Sequence, residues 1–214
     1  IERGTAFNQL ALYQKAIADF NKALVKDQKN SLALNNRGVS YMRSGQLALA
    51  KADFQKAIDL TPDDPFANLN YMGSALCLSQ GGQAASKLEA WLKRNNWKGR
   101  YAGHAAILAT IGFKQKGKTK AVDALIQSSL KKTNRLEWPY PVILYLAGRK
   151  KPEEVLEAAK DSDYENTQAH CFIALNQRLS GSKDKSKENF QWLRKFGTKD
   201  TLEYWIARNI DSGL

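Results

Sequence analysis

The stretch SLALNNRGVSYMRSGQLALAKADFQKAIDLTPDD, residues 31–64, decides the fold. Its apolar residues follow helical spacing on both sides of Gly45, which predicts two helices joined by a turn at that glycine. Gly38 has no side chain, so it lets the two helices approach each other closely. Pro62 ends the second helix because proline lacks the N–H that the helix needs.

The same pattern occurs one period earlier in the chain. Ala16, Phe20 and Ala23 occur again 34 residues later as Ala50, Phe54 and Ala57, and Gly4 and Phe7 occur again as Gly38 and Tyr41. Self-similarity at a fixed period is typical of repeat proteins, in which each short unit packs against its neighbours. The sequence therefore predicts a stack of helical hairpins.

Residues 31–64 resemble the tetratricopeptide repeat position by position, at that family's period. The resemblance implies an all-α fold, a right-handed superhelical stack of antiparallel hairpins. It also implies that the first helix of each hairpin lines a concave groove, where family members hold their ligands.

The third repeat, residues 65–98, is less regular. Its first helix fits a shift of 35 residues from the second repeat, whereas its second helix fits a shift of 34. This difference predicts one extra residue near Gly81-Gly82. Trp91 stands where a small alanine is expected, so we expect different packing there.

Residues 101–132 read as a fourth hairpin with its turn at Gly117, so residues 1–132 hold about four hairpins. We interpret residues 133–214 as a continuation of the same solenoid. It contains a WPYP segment, a short helix ending near Gly148, another helix starting at Pro152, a further hairpin and a closing helix. The closing helix carries an apolar face and is expected to cap the stack: Leu202, Trp205, Ile206 and Ile210.

The last third of the chain resembles bacterial tetratricopeptide lipoproteins of the NlpI type. The resemblance rests on WPYPVILYLAG, the PEEVLEAA helix and the closing EYWIARNI. It implies the bacterial cell envelope, protein partners such as cell-wall enzymes or proteases, and a homodimer. The chain starts at Ile1, which leaves three localisations open: periplasmic, membrane-anchored through an upstream signal, or cytoplasmic.

The 214 residues carry 33 Lys and Arg against 21 Asp and Glu, a net charge of +12. This charge favours acidic partners, nucleic acid or anionic lipid. No apolar run is long enough to predict a transmembrane segment. The two cysteines form no Cys-x-x-Cys pair, and each histidine is isolated. We therefore expect no metal, no cofactor and no enzymatic activity.

Residues 112–119, GFKQKGKT, match the phosphate-binding loop pattern G-x-x-x-x-G-K-T. That chemistry requires a strand before the loop and backbone amides curled around phosphate groups. Gly117 falls instead at the turn of the fourth hairpin, and the helical pattern continues after it. Nucleotide binding is therefore only a distant alternative.

Two basic segments suggest nucleic acid as a further alternative. KRNNWKGRY at residues 93–101 interleaves aromatic and basic residues, as binders of single strands do, and four lysines cluster around the turn at Gly117. Both segments lie at hairpin ends, where lysine is usual in solvated loops. Nucleic acid is accordingly the less favoured partner.

The positive candidate is the groove. The tetratricopeptide resemblance carries the family's ligand positions onto residues of the first three repeats: Thr5, Asn8, Gln9, Leu32, Asn35, Asn36, Val39, Met42, Arg43, Asn70, Tyr71 and Ser74. Asparagine donates and accepts hydrogen bonds, so it can hold the backbone of an extended peptide. The asparagines can equally serve only to join neighbouring hairpins. The lysine–asparagine pattern that holds a C-terminal carboxylate in chaperone-binding relatives is absent.

These observations predict a non-enzymatic scaffold or adaptor that binds a protein or peptide in its groove. The first alternative is a basic solenoid that binds nucleic acid or anionic lipid.

Overall fold

The computed structural model describes residues 1–211, and this part of the chain contains thirteen helices and no strand. The all-α prediction is confirmed. Among these helices, none combines the length and apolar character required to cross a bilayer. The chain forms two compact units, Ile1–Leu78 and Ser79–Leu214. The boundary predicted at residue 132 rests on sequence motifs and stays a prediction.

The first unit consists of five helices, of which the first four pair as two hairpins in chain order. They are α1 (Glu2–Gln9), α2 (Tyr13–Lys26), α3 (Ser31–Arg43), α4 (Leu47–Leu60) and α5 (Pro65–Cys77). Gly45 turns the chain between α3 and α4 with a φ of +81°, a conformation that glycine adopts without steric cost. Asn30 and Asp64 cap α3 and α5, because their side chains accept hydrogen bonds from backbone N–H groups of the first turn.

Close packing inside each hairpin depends on a glycine and a phenylalanine. A Cβ atom on Gly38 would lie 2.6 Å from the Phe54 ring, and one on Gly4 would lie 2.9 Å from the Phe20 ring. Both rings are fully buried. The repeat in the sequence is thus a repeat of one contact between helices.

The third repeat contains no extra residue. Helices α5 and α6 begin 34 residues after α3 and α4, so the predicted insertion near Gly81-Gly82 is wrong. Gly73 suggests a shift of 35 residues because it lies 35 residues after Gly38. In the structure, the residue equivalent to Gly38 is Met72, which is buried. Ser79 takes the place of Gly45 in the turn and has a φ of +58°.

The second unit consists of eight helices, with α7 and α11 at its centre. They are α6 (Gly81–Arg94), α7 (Ala102–Gln115), α8 (Thr119–Lys132), α9 (Tyr140–Leu146), α10 (Pro152–Ala159), α11 (Asp163–Leu179), α12 (Lys183–Phe196) and α13 (Leu202–Ile210). Helix α7 is buried along most of its length, since it packs against α6, α8, α9 and α11. Glycines at positive φ follow α7, α9 and α11: Gly117, Gly148 and Gly181. The first two lie where the sequence predicts a turn and a helix end.

Helix α13 covers α11 and α12 with its apolar face. Trp205 and Ile206 are buried there, and Leu202 and Ile210 are half-buried. Trp205 also donates a 2.7 Å hydrogen bond from Nε1 to the carbonyl of Lys199. The helix lies as the predicted closing element within the second unit.

Candidate functional site

Helices α1, α3 and α5, which are the first helices of the first three repeats, are joined by side-chain hydrogen bonds. Ser40 Oγ donates to Asn8 Oδ1 at 2.8 Å, and Asn8 Nδ2 donates to the Asn36 carbonyl at 3.4 Å. Arg43 Nη1 donates to the Asn8 carbonyl at 3.3 Å. These bonds hold α1 beside α3, so the two helices form one layer.

Asparagines also link α3 to its neighbours. Asn70 Nδ2 on α5 donates to Asn35 Oδ1 on α3 at 3.1 Å. Asn36 Nδ2 donates to Thr5 Oγ1 on α1 at 3.5 Å. Joining hairpins is therefore a role that the structure gives these asparagines. We call the solvent-facing side of α1, α3 and α5 the first-helix surface.

Several residues assigned to the groove from the sequence are buried. Met42, Tyr71 and Ser74 are 3%, 8% and 0% exposed, and Asn8 and Asn35 are also buried. Ser74 Oγ donates to the Tyr71 carbonyl, as expected of a serine that satisfies its hydroxyl within its own helix. A partner lying on the first-helix surface would not touch these side chains.

Other predicted residues do lie at the surface. Thr5 and Gln9 on α1 are exposed, and Asn36, Val39 and Arg43 on α3 are half-buried. Leu32 in the first turn of α3 is 56% exposed. Residues four, seven and eleven positions further along a helix share its face, so Leu32 lies in line with Asn36, Val39 and Arg43.

Phe66 was missed by the sequence analysis. It is 50% exposed in the first turn of α5, at the position equivalent to Leu32 one repeat earlier. A shift of 35 residues instead pairs Asn35 and Asn36 with Asn70 and Tyr71. A constant shift of 34 would have found Phe66. Two large apolar side chains thus occupy the same exposed position in consecutive repeats.

Cys77 ends α5 on the same helix face as Phe66. Burial raises the pKa of its thiol to about 12. A thiol with so high a pKa stays protonated at neutral pH and is a poor nucleophile. Cys77 is therefore suited to packing and unsuited to catalysis.

The segment 112–119 forms the end of α7, a turn and the start of α8. The backbone amides of that turn donate to protein carbonyls, Gly117 to Lys114 at 3.0 Å and Lys118 to Phe113 at 2.9 Å. A phosphate-binding loop directs such amides at its ligand. The helical interpretation of this segment is confirmed, and its geometry does not favour nucleotide binding.

The two histidines bind amide side chains. His104 Nε2 lies 3.0 Å from Gln168 Oε1, and His170 Nδ1 lies 2.6 Å from Asn189 Oδ1. Within residues 1–211, no group of three His, Cys, Asp or Glu side chains is placed to hold a metal ion. The surroundings of both histidines are those of structural residues.

Of the two basic segments, the aromatic one is only partly available to a ligand. Trp97 is 7% exposed, and Lys132 Nζ lies 5.6 Å from the centroid of its ring. In the other segment, Lys114 Nζ donates to Asn176 Oδ1 at 2.6 Å, and burial lowers the pKa of Lys114. Neither arrangement presents a row of open aromatic faces for stacked bases.

Comparison with known proteins supports the repeat and the fold. The tetratricopeptide repeat family model matches residues 31–64. Tetratricopeptide repeat protein 16 of Macaca fascicularis and that of Homo sapiens are each 41% identical over 56 residues. The match covers 26% of this chain and spans 6% of the length of those relatives.

Two solved structures share the arrangement of helices. A tetratricopeptide repeat protein from Parabacteroides merdae has a TM-score of 0.58 at 14% identity, over 97% of this chain and 81% of that chain. PilW, a widely conserved type IV pilus biogenesis factor, has a TM-score of 0.54 at 19% identity, over 91% and 90%. Residues 31–64 are thus a tetratricopeptide repeat, and the chain has the helical solenoid fold of tetratricopeptide repeat proteins.

Proposed function

We propose that this protein is a non-enzymatic adaptor that binds a protein or peptide partner on the first-helix surface of its first unit. The fold is that of protein-interaction scaffolds, which supports the general class of function. The observation that carries the proposal is the exposure of Leu32 and Phe66 at equivalent positions.

Exposed apolar side chains also occur elsewhere on this chain, but Leu32 and Phe66 occupy equivalent positions in consecutive repeats. Full burial of an exposed leucine or phenylalanine is favourable by about 1.5–3 kcal/mol, and Leu32 and Phe66, 56% and 50% exposed, can contribute about half of that on binding. A few such anchors usually dominate the affinity of an interface. Leu32 and Phe66 are the candidate anchors, and Thr5, Gln9 and Asn36 are candidate polar contacts beside them.

The charge of the chain favours an acidic partner. A net charge of +12 raises the rate at which acidic molecules meet the surface, although it sets affinity less than the local contacts do. The resemblance of the last third to NlpI-type lipoproteins adds two further predictions, a setting in the bacterial envelope and a homodimer. Sedimentation of the purified chain tests the dimer, and the gene sequence upstream of Ile1 tests the setting.

The proposal is tested by affinity capture from an extract of the source organism, at rising salt and after nuclease treatment. We compare the wild-type chain with Leu32→Asp and Phe66→Asp, and identify captured proteins by mass spectrometry. A protein partner should be retained by the wild type and strongly reduced by either aspartate, because each would bring a charge into the apolar contact.

The matched control is Leu49→Asp. Leu49 is 49% exposed on α4, the second helix of its hairpin, so it carries the same chemistry on a different face. This variant should capture the partner as the wild type does. Equal loss in all three variants, or recovery of nucleic acid with a steep dependence on salt, would contradict the proposal.

A further inference from the structure

A cleft of about 320 Å³ lies in the second unit, between the start of α7 and the segment that joins α8 to α9. Three aromatic and three charged side chains contribute to its lining: Trp97, Arg100, Lys132, Glu137, Trp138 and Tyr140. The volume lies at the low end of the range for ligand pockets, about 300–1,000 Å³. It suits one or two side chains of a partner.

The floor of the cleft is held in a fixed position. Trp138 Nε1 donates to Gln168 Oε1 at 2.6 Å, and His104 Nε2 lies 3.0 Å from the same oxygen. A Cβ atom on Gly103 would lie 2.9 Å from Pro139 Cδ, so glycine is what permits the close contact of these two lining residues. A wall that is already ordered loses little entropy when a ligand binds.

Two cations stand at the cleft, each beside an aromatic ring. Lys132 Nζ lies 5.6 Å from the Trp97 centroid, and Arg100 Cζ lies 4.8 Å from the Tyr101 centroid. An aromatic ring carries no formal negative charge, so a cation–π contact leaves the net positive charge of each side chain in place. In the part of the chain that the structure describes, neither cation forms an ion pair.

The charge around the cleft is positive. Glu137 is the one carboxylate of the lining against Arg100 and Lys132. Lys98 and Arg135, both exposed, lie two and three residues from those cations along the chain. A ligand that carries a carboxylate is attracted to such a site, whereas a cationic ligand is repelled.

We propose that this cleft is a second binding site, which takes an acidic peptide segment by placing a carboxylate between Arg100 and Lys132 and an apolar side chain against Trp138 and Tyr140. Nucleic acid is disfavoured because Trp97, 7% exposed, has no open face on which a base can stack. All lining residues belong to the second unit, so this proposal can be tested independently of the one for the first-helix surface.

The test measures the binding of a short fluorescein-labelled peptide, in which glutamate alternates with phenylalanine, to the full chain by fluorescence anisotropy. Lys132→Glu and Arg100→Glu should each weaken binding by about fivefold, the usual scale for an exposed charge pair. The affinity should also fall with rising salt. A second peptide carries glutamine in place of glutamate. The wild-type chain should bind it no more tightly than Lys132→Glu or Arg100→Glu binds the acidic peptide.

Lys120→Glu is the matched control, because Lys120 is exposed on α8, the same helix as Lys132, about 18 Å away at 1.5 Å per residue. It makes the same change of net charge and should reduce binding less than twofold. Equal losses for Lys120→Glu and Lys132→Glu would overturn the site, since they would show attraction by net charge alone. The site would also be overturned if labelled oligothymidylate bound tightly and required Arg100 and Lys132 while the peptide failed to bind.

The Leu32→Asp variant separates this proposal from the previous one. It should bind the acidic peptide as the wild type does, even where it has lost the partner of the first-helix surface. Loss of peptide binding in Leu32→Asp would assign the peptide to that surface and overturn the cleft.

Discussion

Arg37 and Asp53 form an ion pair that occurs again one repeat earlier as Arg3 and Asp19. Arg37 Nε donates to Asp53 Oδ2 at 2.6 Å and Nη2 donates to Oδ1 at 2.7 Å. Arg3 makes the same two bonds with Asp19, both at 2.6 Å. The surroundings differ, because the Arg37 and Asp53 side chains are 18% and 5% exposed whereas Arg3 is 70% exposed.

The two pairs therefore make a matched experiment on burial. Asp53→Ala leaves Arg37 half-buried without its carboxylate and should lower the free energy of unfolding by about 3 kcal/mol. Asp19→Ala should cause a clearly smaller loss, since water solvates Arg3. Urea unfolding of both variants measures the difference. Equal losses would show that burial does not set the strength of this repeated contact.

His170 should make stability depend on pH. Its ring stacks on Trp192 with centroids 3.8 Å apart, and burial lowers its pKa, while the hydrogen bond to Asn189 acts in the opposite direction. The unfolded chain then binds a proton more readily than the folded one. Stability should fall as the pH drops through about 6.5 and level off below the folded pKa.

Urea unfolding between about pH 8 and about pH 5 tests this, with His170→Gln as the comparison. Subtracting the two series isolates the histidine from the carboxylates that titrate at lower pH. The wild type should lose more stability than the variant over this range. Identical slopes would refute the assignment to His170.

At the scale of the helical element, the contact between α3 and α4 should show coupling. Gly38→Ala places a Cβ 2.6 Å from the Phe54 ring and should cost about 2 kcal/mol through overpacking. Phe54→Leu shortens the side chain that collides with the new Cβ. The double variant should therefore be more stable than the sum of the two single losses predicts. Strict additivity in urea unfolding would mean that the two positions do not share the contact.

The second and third repeats differ in how well their helices can be predicted from the sequence. Residues 31–64 sufficed to predict α3 and α4. Gly38 indicates the close approach of the two helices, Gly45 the turn between them, and Pro62 the end of the second helix. In the third repeat, Met72 and Ser79 lie at the positions of Gly38 and Gly45, so both glycines are absent. The predicted alignment of this repeat is therefore wrong by one residue.

The candidate site was predicted in part for a related reason. Leu32 was found because its repeat is regular, and Phe66 was missed because its repeat is not. Met42 and Ser74 were included although they are buried. Which side of a helix its neighbours cover depends on tertiary packing, and residue type alone does not reveal it.

At the scale of the whole molecule, two units of the same helical class offer two candidate surfaces of different chemistry. The first-helix surface presents Leu32 and Phe66, whereas the cleft of the second unit presents Arg100 and Lys132 beside aromatic rings. The net charge of +12 acts on both by speeding encounter with acidic molecules. Rising salt should therefore slow association more than it speeds dissociation.

Site-specific photocrosslinking tests most directly whether a protein partner lies on the first-helix surface. A photoreactive amino acid is placed at position 32, 66 or 49 of the chain in its source organism, and the crosslinked products are identified. We expect one protein to be crosslinked from positions 32 and 66 and to be absent from position 49. Crosslinks from position 49 alone, or to nucleic acid from positions 32 and 66, would contradict it.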